Sequence, residues 1–346
     1  EQVPDAGGHG VLIEPGGQAH GVAEAAAEQG LLEAQVAHLQ LSAEPRQAAA
    51  HQRPVAAQRR LTQGLQGELA ELLGVGGAYW GAAMPAIVGD VTGPLPSQLN
   101  GYLEIAGNKA DLILANPAGI TCNGCGFINA TRSTLTTGTP RYVDGNLAGY
   151  LVTRGTISIN GDGMDARTTA YADLIARAVK VNAALWAKKL AVIAGRNDVD
   201  ATTLHAAPIT GSGDSDEKPA LAIDVSELGG MYAGKIWLLG TEAGVGVRQA
   251  GYLGGGADEI RISAAGRLEI AGTIHSDGEL AIDAMAGMRN RGLVHGQDKA
   301  ALAISGELDN RDGLIISHGK LSVTDASSGP RSLVITTTTQ RPSTKP

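Results

Sequence analysis

Bulky aromatic side chains are scarce in this chain of 346 residues. Aromatic residues make up 3% of the sequence and include a single Phe, whereas glycine occurs 49 times. Such a composition makes a large globular core difficult to build. A stack of small β-coils needs only Val, Ile, Leu and Ala inside and glycine at its corners. The composition therefore favours one elongated, repetitive β-structure over two or three compact domains.

An excess of positive charge is also absent. Lys and Arg number 27 against 35 Asp and Glu, so the net charge is −8 at pH 7. Because nucleic-acid phosphates attract basic surfaces, this balance argues against a nucleic-acid partner. The sequence has no apolar run long enough for a transmembrane helix, and we expect no segment that spans a lipid bilayer. It starts at Glu1 without a charged-then-apolar leader, so we expect that any secretion signal lies upstream or was never included.

The most informative stretch runs from Asn116 to Pro140 and reads NPAGITCNGCGFINATRSTLTTGTP. Pro117 fixes its own φ and disfavours a helical conformation at Asn116, while four glycines supply the conformations that a sharp corner needs. The Ile, Phe and Thr residues that follow suit a pleated, half-buried surface. The pattern predicts a strand, a corner and a second strand.

This stretch resembles the haemagglutination-activity domain, the secretion domain at the front of filamentous haemagglutinin-like exoproteins of the two-partner secretion pathway. Three further blocks resemble the same family in the same order: Pro96 to Gly107, Tyr171 to Gly195 and Asp224 to Arg248. The family motif reads Asn-Pro-Asn-Gly-Ile, so Ala118 departs from it at the third position.

The resemblance implies an all-β fold, a right-handed parallel β-helix or solenoid. It also implies recognition of this region by an outer-membrane transporter partner, with a secretion motif formed by Asn116, Pro117, Gly119 and Ile120. The amide of Asn116 is able to bond either its own turn or the transporter. The family further implies a secreted or cell-surface adhesin or haemagglutinin, associated with the outer membrane and with virulence, that binds a receptor on a host or bacterial cell.

Two other functions stay open. The chain fits equally the front of a contact-dependent growth-inhibition protein, whose toxin would lie far beyond Pro346. The less favoured alternative is a β-helix enzyme that degrades polysaccharides, which would need clustered acidic and basic groups on one solenoid face. The repeats contain no such cluster, and no Gly-x-Ser-x-Gly motif occurs. We therefore expect no catalytic residues and no enzymatic activity.

The only two cysteines are Cys122 and Cys125. A zinc site would need two more soft ligands, and a c-type haem would need a histidine where Gly126 stands. A redox dithiol would need a helix N-terminus, which this glycine-rich corner does not offer. We predict a structural pair, either two free thiols or, preferably, a short disulfide that clamps the corner, and we expect no metal and no cofactor.

The chain divides by composition. Residues 1–90 contain no Lys, Asn or Phe, and we interpret them as an atypical low-complexity segment, poorly ordered or weakly helical, or derived from an altered reading frame. We assign 91–265 to the secretion β-helix, with 197–219 as an exposed loop that leaves the main body. Residues 266–325 begin repeats of about 20 residues, and 326–346 form a tail or linker.

The repeats make specific predictions of register. The stretch from Met288 to His295 recurs 20 residues later, which places Met288 over Leu308 and Asn290 over Asn310. Stacked asparagines would form a hydrogen-bonded ladder. The histidines recur near the same period, and we interpret them as a repeat echo on a solvated face; they are His275, His295 and His318.

One block is ambiguous in its secondary structure. Residues 169–190 have the Ala, Leu and Lys content of a helix, but Val179, Val181 and Leu185 also alternate with a period of two. We predict strands, because the resembled family has a β-coil at this place.

Overall fold

The computed structural model describes residues 86–209, 218–325 and 334–337. Within these ranges every regular element is a β-strand, and there are 31 of them. Short, Gly-bounded runs of Val, Ile, Leu, Ala and Thr produce this result, because such runs suit a pleated surface with one buried side.

The strands are numbered in chain order. The first half of the chain contains β1 (Ala86–Asp90), β2 (Ser97–Leu99), β3 (Tyr102–Glu104), β4 (Ala110–Ala115), β5 (Ile120–Ile128), β6 (Ala130–Thr136), β7 (Thr139–Val143), β8 (Asn146–Val152), β9 (Thr156–Ala166), β10 (Tyr171–Ala176), β11 (Ala178–Val181), β12 (Ala184–Ala187), β13 (Lys189–Ala194), β14 (Asn197–Asp200) and β15 (Ala206–Pro208). The second half contains β16 (Leu221–Val225), β17 (Gly230–Ala233), β18 (Lys235–Gly240), β19 (Gly246–Gln249), β20 (Tyr252–Gly255), β21 (Glu259–Ala264), β22 (Leu268–Ile270), β23 (Thr273–Ser276), β24 (Glu279–Ala284), β25 (Met288–Asn290), β26 (Leu293–Gly296), β27 (Lys299–Ile304), β28 (Glu307–Asn310), β29 (Leu314–Ser317), β30 (Lys320–Asp325) and β31 (Val334–Thr337).

Ten of these strands form one parallel sheet, the first wall of a solenoid. Its order is β1-β4-β6-β10-β13-β18-β21-β24-β27-β30. The order follows the chain, with other strands inserted between neighbours, so each coil contributes one strand to this wall. The register is regular: Leu174 pairs with Val192, Val192 with Leu238 and Leu238 with Ile262. Identical positions of successive coils therefore stack as columns of buried aliphatic side chains.

The remaining parallel strands form two further walls. The long strands β5 and β9 run across both: β2 and β3 pair with different halves of β5, and β11 and β12 with different halves of β9. Beyond them one wall continues through β16, β19, β22, β25 and β28, and the other through β17, β20, β23, β26 and β29. The described part of the chain is thus a parallel β-solenoid, and the all-β prediction is confirmed.

The core is a continuous strip of small and aliphatic side chains inside the coils. The only Phe, Phe127, is fully buried in it, with Met164, Leu185 and Met231. Narrow coils cannot hold many rings, which explains why the aromatic content is so low.

A second, antiparallel sheet lies against the outer side of the first wall, in the order β15-β14-β8-β7. It encloses a separate hydrophobic cluster that includes Ile175 and Ile193 from the wall and Tyr150, Val152 and Val199 from the sheet. The loop predicted at 197–219 is therefore wrong at its start: Asn197–Asp200 is β14, which pairs with β8, and Val199 is fully buried. The polar sequence hid this strand, because Val199 is the one apolar residue among the four of β14.

The fold confirms two further predictions and corrects two domain boundaries. The choice of strands for the ambiguous block is confirmed, since it forms β10 to β13. The register of Met288 with Leu308 is also confirmed. The start of the β-body near residue 91 is too late, because Ala86–Asp90 already pairs with β4. Val334–Thr337, assigned to a tail, pairs with β28. The rest of 1–90 and of the tail lies outside the described residues.

Candidate functional site

The predicted secretion motif forms the corner between β4 and β5. The backbone N–H of Asn116 donates to the carbonyl oxygen of Thr136 on the next coil at 2.9 Å, and the N–H of Gly119 donates to the carbonyl oxygen of Asn116 at 3.0 Å. The second bond closes a four-residue turn with Pro117 at its second position, where a fixed φ is favourable. The structure therefore brings Asn116, Pro117, Gly119 and Ile120 together in one corner.

The side chain of Asn116 is fully buried, with 0% exposure. Its amide nitrogen donates to the carbonyl oxygen of Leu95 at 3.0 Å and to the hydroxyl of Ser97 at 2.8 Å. Its amide oxygen accepts from the backbone N–H of Ala118 at 2.9 Å. The asparagine thus fixes its own turn and joins it to the preceding coil. In the folded protein this side chain cannot contact a partner.

Two glycines allow the corner to stack on the next coil. Gly119 has a φ of 122°. Gly155, one coil later, has a φ of 87°, and a Cβ atom on it would lie 2.7 Å from the carbonyl oxygen of Pro117. L-residues rarely adopt such backbone angles, and the second position also lacks space for a side chain. Ala118 is half-exposed, and its N–H already has a partner, so the departure from the family motif leaves the turn intact.

Ile120 starts β5 and points into the core. It pairs in register with Ser97 on one side and with Ile157 on the other, and it is fully buried. Its role in this structure is packing between coils.

The sulfur atoms of Cys122 and Cys125 are bonded, at 1.98 Å. Both cysteines are buried within β5, and the register with β9 shifts between Asn123 and Cys125. Gly124, between them, has a φ of 71°. The disulfide therefore spans a β-bulge inside a continuous strand, where the sequence suggested a clamp on a corner. Between the paired positions β5 advances two residues, from Asn123 to Cys125, and β9 advances four, from Asn160 to Met164, so the extra residues of the bulge lie on β9, opposite the disulfide.

A buried polar network lies where the antiparallel sheet meets the first wall. The carboxylate of Asp173 accepts from Arg132 Nε at 2.6 Å and from the Thr134 hydroxyl at 3.0 Å. Desolvation raises the pKa of Asp173, and Arg132 opposes that rise. Burial, with a further contribution from the Asp173 charge, also raises the pKa of the Tyr150 phenol. Such a network costs desolvation energy, and its hydrogen bonds join β6 to β10 within the first wall.

Aromatic side chains, which the sequence did not reveal as a group, form a stack on the outer side of the wall that contains β12, β17 and β20. The rings of Trp186 and Tyr232 lie 4.1 Å apart, and Tyr252 follows at 5.5 Å from Tyr232. The guanidinium of Arg167 lies 5.7 Å from the Trp186 ring. The separation of 20 residues between the two tyrosines was the one available signal. Because the ring faces contact one another, this stack stabilises the register of neighbouring coils.

The predicted ladders are present in the repeats. The Asn290 amide donates to the amide oxygen of Asn310 at 2.7 Å, which confirms the asparagine ladder. The three histidines also stack, with ring centroids 4.7 Å and 5.0 Å apart. The prediction of a solvated face is wrong for the middle ring, His295, which is 7% exposed.

Among the residues that the structure describes, no group of three or more His, Cys, Asp or Glu side chains is arranged to hold a metal ion. In the same part of the chain, no helix has the length and apolar character needed to cross a membrane.

The family model described as the TPS secretion domain matches residues 73–270, more than half of the chain. The chain belongs to this family. The resemblance inferred from four sequence blocks is thereby confirmed, and the match of this TPS secretion domain begins before the boundary that composition suggested.

Its relatives include much longer proteins. The toxin CdiA of Yersinia pestis is 52% identical over 211 residues, which are 61% of this chain and 6% of that protein. The tRNA nuclease CdiA of Escherichia coli strain NC101 is 41% identical over 243 residues, 70% of this chain and 7% of that protein. A crystal structure of a filamentous hemagglutinin secretion domain is 32% identical, with a TM-score of 0.48, and the match covers 72% of this chain and 75% of that one. The matched part of this chain spans less than a tenth of the length of the two CdiA proteins.

Proposed function

We propose that this TPS secretion domain directs a longer exoprotein out of a bacterial cell through an outer-membrane transporter partner. The observation that carries the proposal is the family match over residues 73–270. The product is a secreted or surface-exposed protein associated with the outer membrane.

The geometry of the solenoid suits export of an extended chain. Each strand of the first wall pairs with the strand of the preceding coil, as β10 does with β6 and β13 with β10. A new coil can therefore fold on the open edge of the last one as soon as it emerges. Folding in this stepwise manner outside the cell would oppose backward movement of the chain.

We further propose that the transporter recognises the segment containing Asn116, Pro117, Gly119 and Ile120 before the coils close. Asn116 and Ile120 are buried in the folded domain, so their side chains are accessible only in the unfolded or partly folded chain. Pro117 restricts the backbone of this segment even then, which lowers the entropy lost on binding. After release, the same residues form the corner between β4 and β5.

Two candidate roles remain for the exported protein. One is an adhesin or haemagglutinin that binds a receptor on a host or bacterial cell and contributes to virulence. The other is the carrier of a growth-inhibition toxin, which is favoured by the relatives named as toxin or tRNA nuclease CdiA. In both cases the solenoid itself acts as a non-enzymatic export domain. Any nuclease would reside in parts of the relatives that this chain does not match.

The experiment is a secretion assay. The chain is fused behind a cleavable export signal and produced with and without the outer-membrane transporter of its own two-partner system. We expect the protein in the medium only when the transporter is present, and in the periplasm otherwise. Equal amounts in the medium with and without the transporter would overturn the proposal. A periplasmic protein of similar size, produced in the same cells, controls for leakage.

A further inference from the structure

The histidine stack has a defined hydrogen-bond chain. Nε2 of His275 lies 3.0 Å from a carboxylate oxygen of Asp277, so this nitrogen carries a proton and donates it. Nδ1 of His275 is then a bare acceptor, and it lies 2.8 Å from Nδ1 of His295. His295 must therefore donate from Nδ1. With both imidazoles neutral, this arrangement assigns one tautomer to each ring.

Protonation of His295 has no place in this arrangement. Its second nitrogen, Nε2, is buried and has no hydrogen-bond partner in the described part of the chain. An added proton there would create a buried charge between two other imidazoles, one of them at a centroid distance of 4.7 Å. Desolvation, followed by repulsion from His275 and His318, lowers the pKa of His295, and only Asp277 acts in the opposite direction.

The surrounding strands offer little compensation. Apart from the histidines, β23, β26 and β29 carry no ionisable side chains. On the flanking strands, Glu279 of β24 is engaged with Lys299 of β27 at 3.1 Å. The imidazole of His318 lies 2.8 Å from the amide oxygen of Gln297. This amide is neutral, so it supplies no negative charge that could stabilise a protonated His295.

We propose that the histidine stack makes the last described coils an acid-sensitive section of the solenoid, which opens below neutral pH while the coils around Asn116 stay closed. In the unfolded chain a histidine protonates near pH 6.5, but the folded stack resists that proton. The unfolded form therefore gains protons first, and stability falls as the pH drops below about 6.5. Above that pH both forms are neutral and the effect is absent. One histidine that stays neutral in the fold increases the opening equilibrium by about tenfold between pH 7.5 and 5.5.

Hydrogen exchange followed by mass spectrometry on the whole chain tests this inference. Exchange is measured at pH 7.5 and 5.5 and corrected for the intrinsic rate, with peptides from residues 293–317 compared with peptides from 120–136. We expect opening of the first region to rise by up to about tenfold, and opening of the second to change little. A uniform change along the solenoid would overturn the inference.

Variants of the stacked histidines test whether they cause the acid response. His295→Phe keeps a ring in the stack but cannot titrate, so the acid response of residues 293–317 should fall by at least half. If that variant does not fold, the double variant His275→Asn and His318→Asn removes the repulsion and should weaken the response in the same direction. His205→Asn changes an exposed histidine outside the stack and should leave the response intact. An unchanged response in the stack variants would contradict the inference.

Discussion

The amide of Asn116 donates a 2.8 Å hydrogen bond to the hydroxyl of Ser97, 19 residues earlier in the chain, and both side chains are buried. This bond joins the secretion motif to the preceding coil. It makes the motif a part of the folded interior, although sequence reasoning had left a surface role open. The consequences of this placement are testable.

Replacing Asn116 by Ala should destabilise the folded domain. The substitution removes the partners of the Ser97 hydroxyl and of the Ala118 N–H in a closed corner. Buried groups that lose their partners cost about 1–3 kcal/mol. Urea unfolding of the purified protein measures the loss, with Asn100→Ala at an exposed position as the matched control. Equal unfolding midpoints for the two variants would show that the corner does not depend on this side chain.

A methyl group on Gly155 should destabilise the folded protein more than a methyl group on a glycine that has open space around it. Gly155 has a φ of 87° and its Cβ would meet the carbonyl oxygen of Pro117 at 2.7 Å. We expect Gly155→Ala to cost at least about 1–3 kcal/mol, because strain and a steric clash act together. Gly93 has no atom within 4 Å of a built Cβ. Gly93→Ala should therefore change stability by less than about 0.5 kcal/mol, and thermal melts that rank the variants in the reverse order would refute the geometry.

Removing the disulfide should have a moderate effect. In the chain-entropy model, a cross-link between residues so close in sequence lowers the entropy of the unfolded chain and so stabilises the fold by about 2 kcal/mol. We expect the double variant Cys122→Ala and Cys125→Ala to melt at a lower temperature than the wild type. Reductant should lower the melting temperature of the wild type and leave that of the variant unchanged. A wild-type melting temperature that ignores reductant would mean that the bond does not contribute to stability.

The antiparallel sheet β15-β14-β8-β7 should contribute to stability through Val199. This side chain is fully buried against the first wall, whereas Val143 of β7 is 52% exposed. Val199→Ala should cost about 1.5–3 kcal/mol, and Val143→Ala should cost less than about 0.5 kcal/mol. Chemical denaturation of both variants checks the difference. If Val199→Ala leaves the stability unchanged, residues 197–200 behave as the loop that their polar sequence suggested.

The solenoid was largely predictable because its coils repeat. An offset of 20 residues placed Met288 over Leu308 and Asn290 over Asn310, and parallel pairing preserves that register. The antiparallel sheet that packs on the first wall was not predictable in the same way. β14 pairs with β8, and the paired residues range from Asn197 with Val152 to Asp200 with Gly149, a separation that matches no repeat period of the chain. A single buried Val199 among polar neighbours gives no periodic signal.

The site was predictable in its residues but not in its exposure. Pro117 and Gly119 indicated a corner directly, since each restricts or extends the allowed backbone angles. The burial of Asn116 depends on Leu95 and Ser97, which reach it only after the preceding coil has closed. Such partners are separated along the chain, and the local motif does not specify them.

The central claim is that the segment around Asn116 is recognised by the transporter before folding. The most direct test compares secretion of Asn116→Ala with that of Val199→Ala, since both should lose similar stability for different reasons. Secretion through the partner transporter is measured as the fraction in the medium, and stability is measured on the same purified proteins. The account predicts that Asn116→Ala is secreted several-fold less than Val199→Ala at equal stability. Equal secretion of the two variants would contradict it, and the motif would then be a folding corner alone.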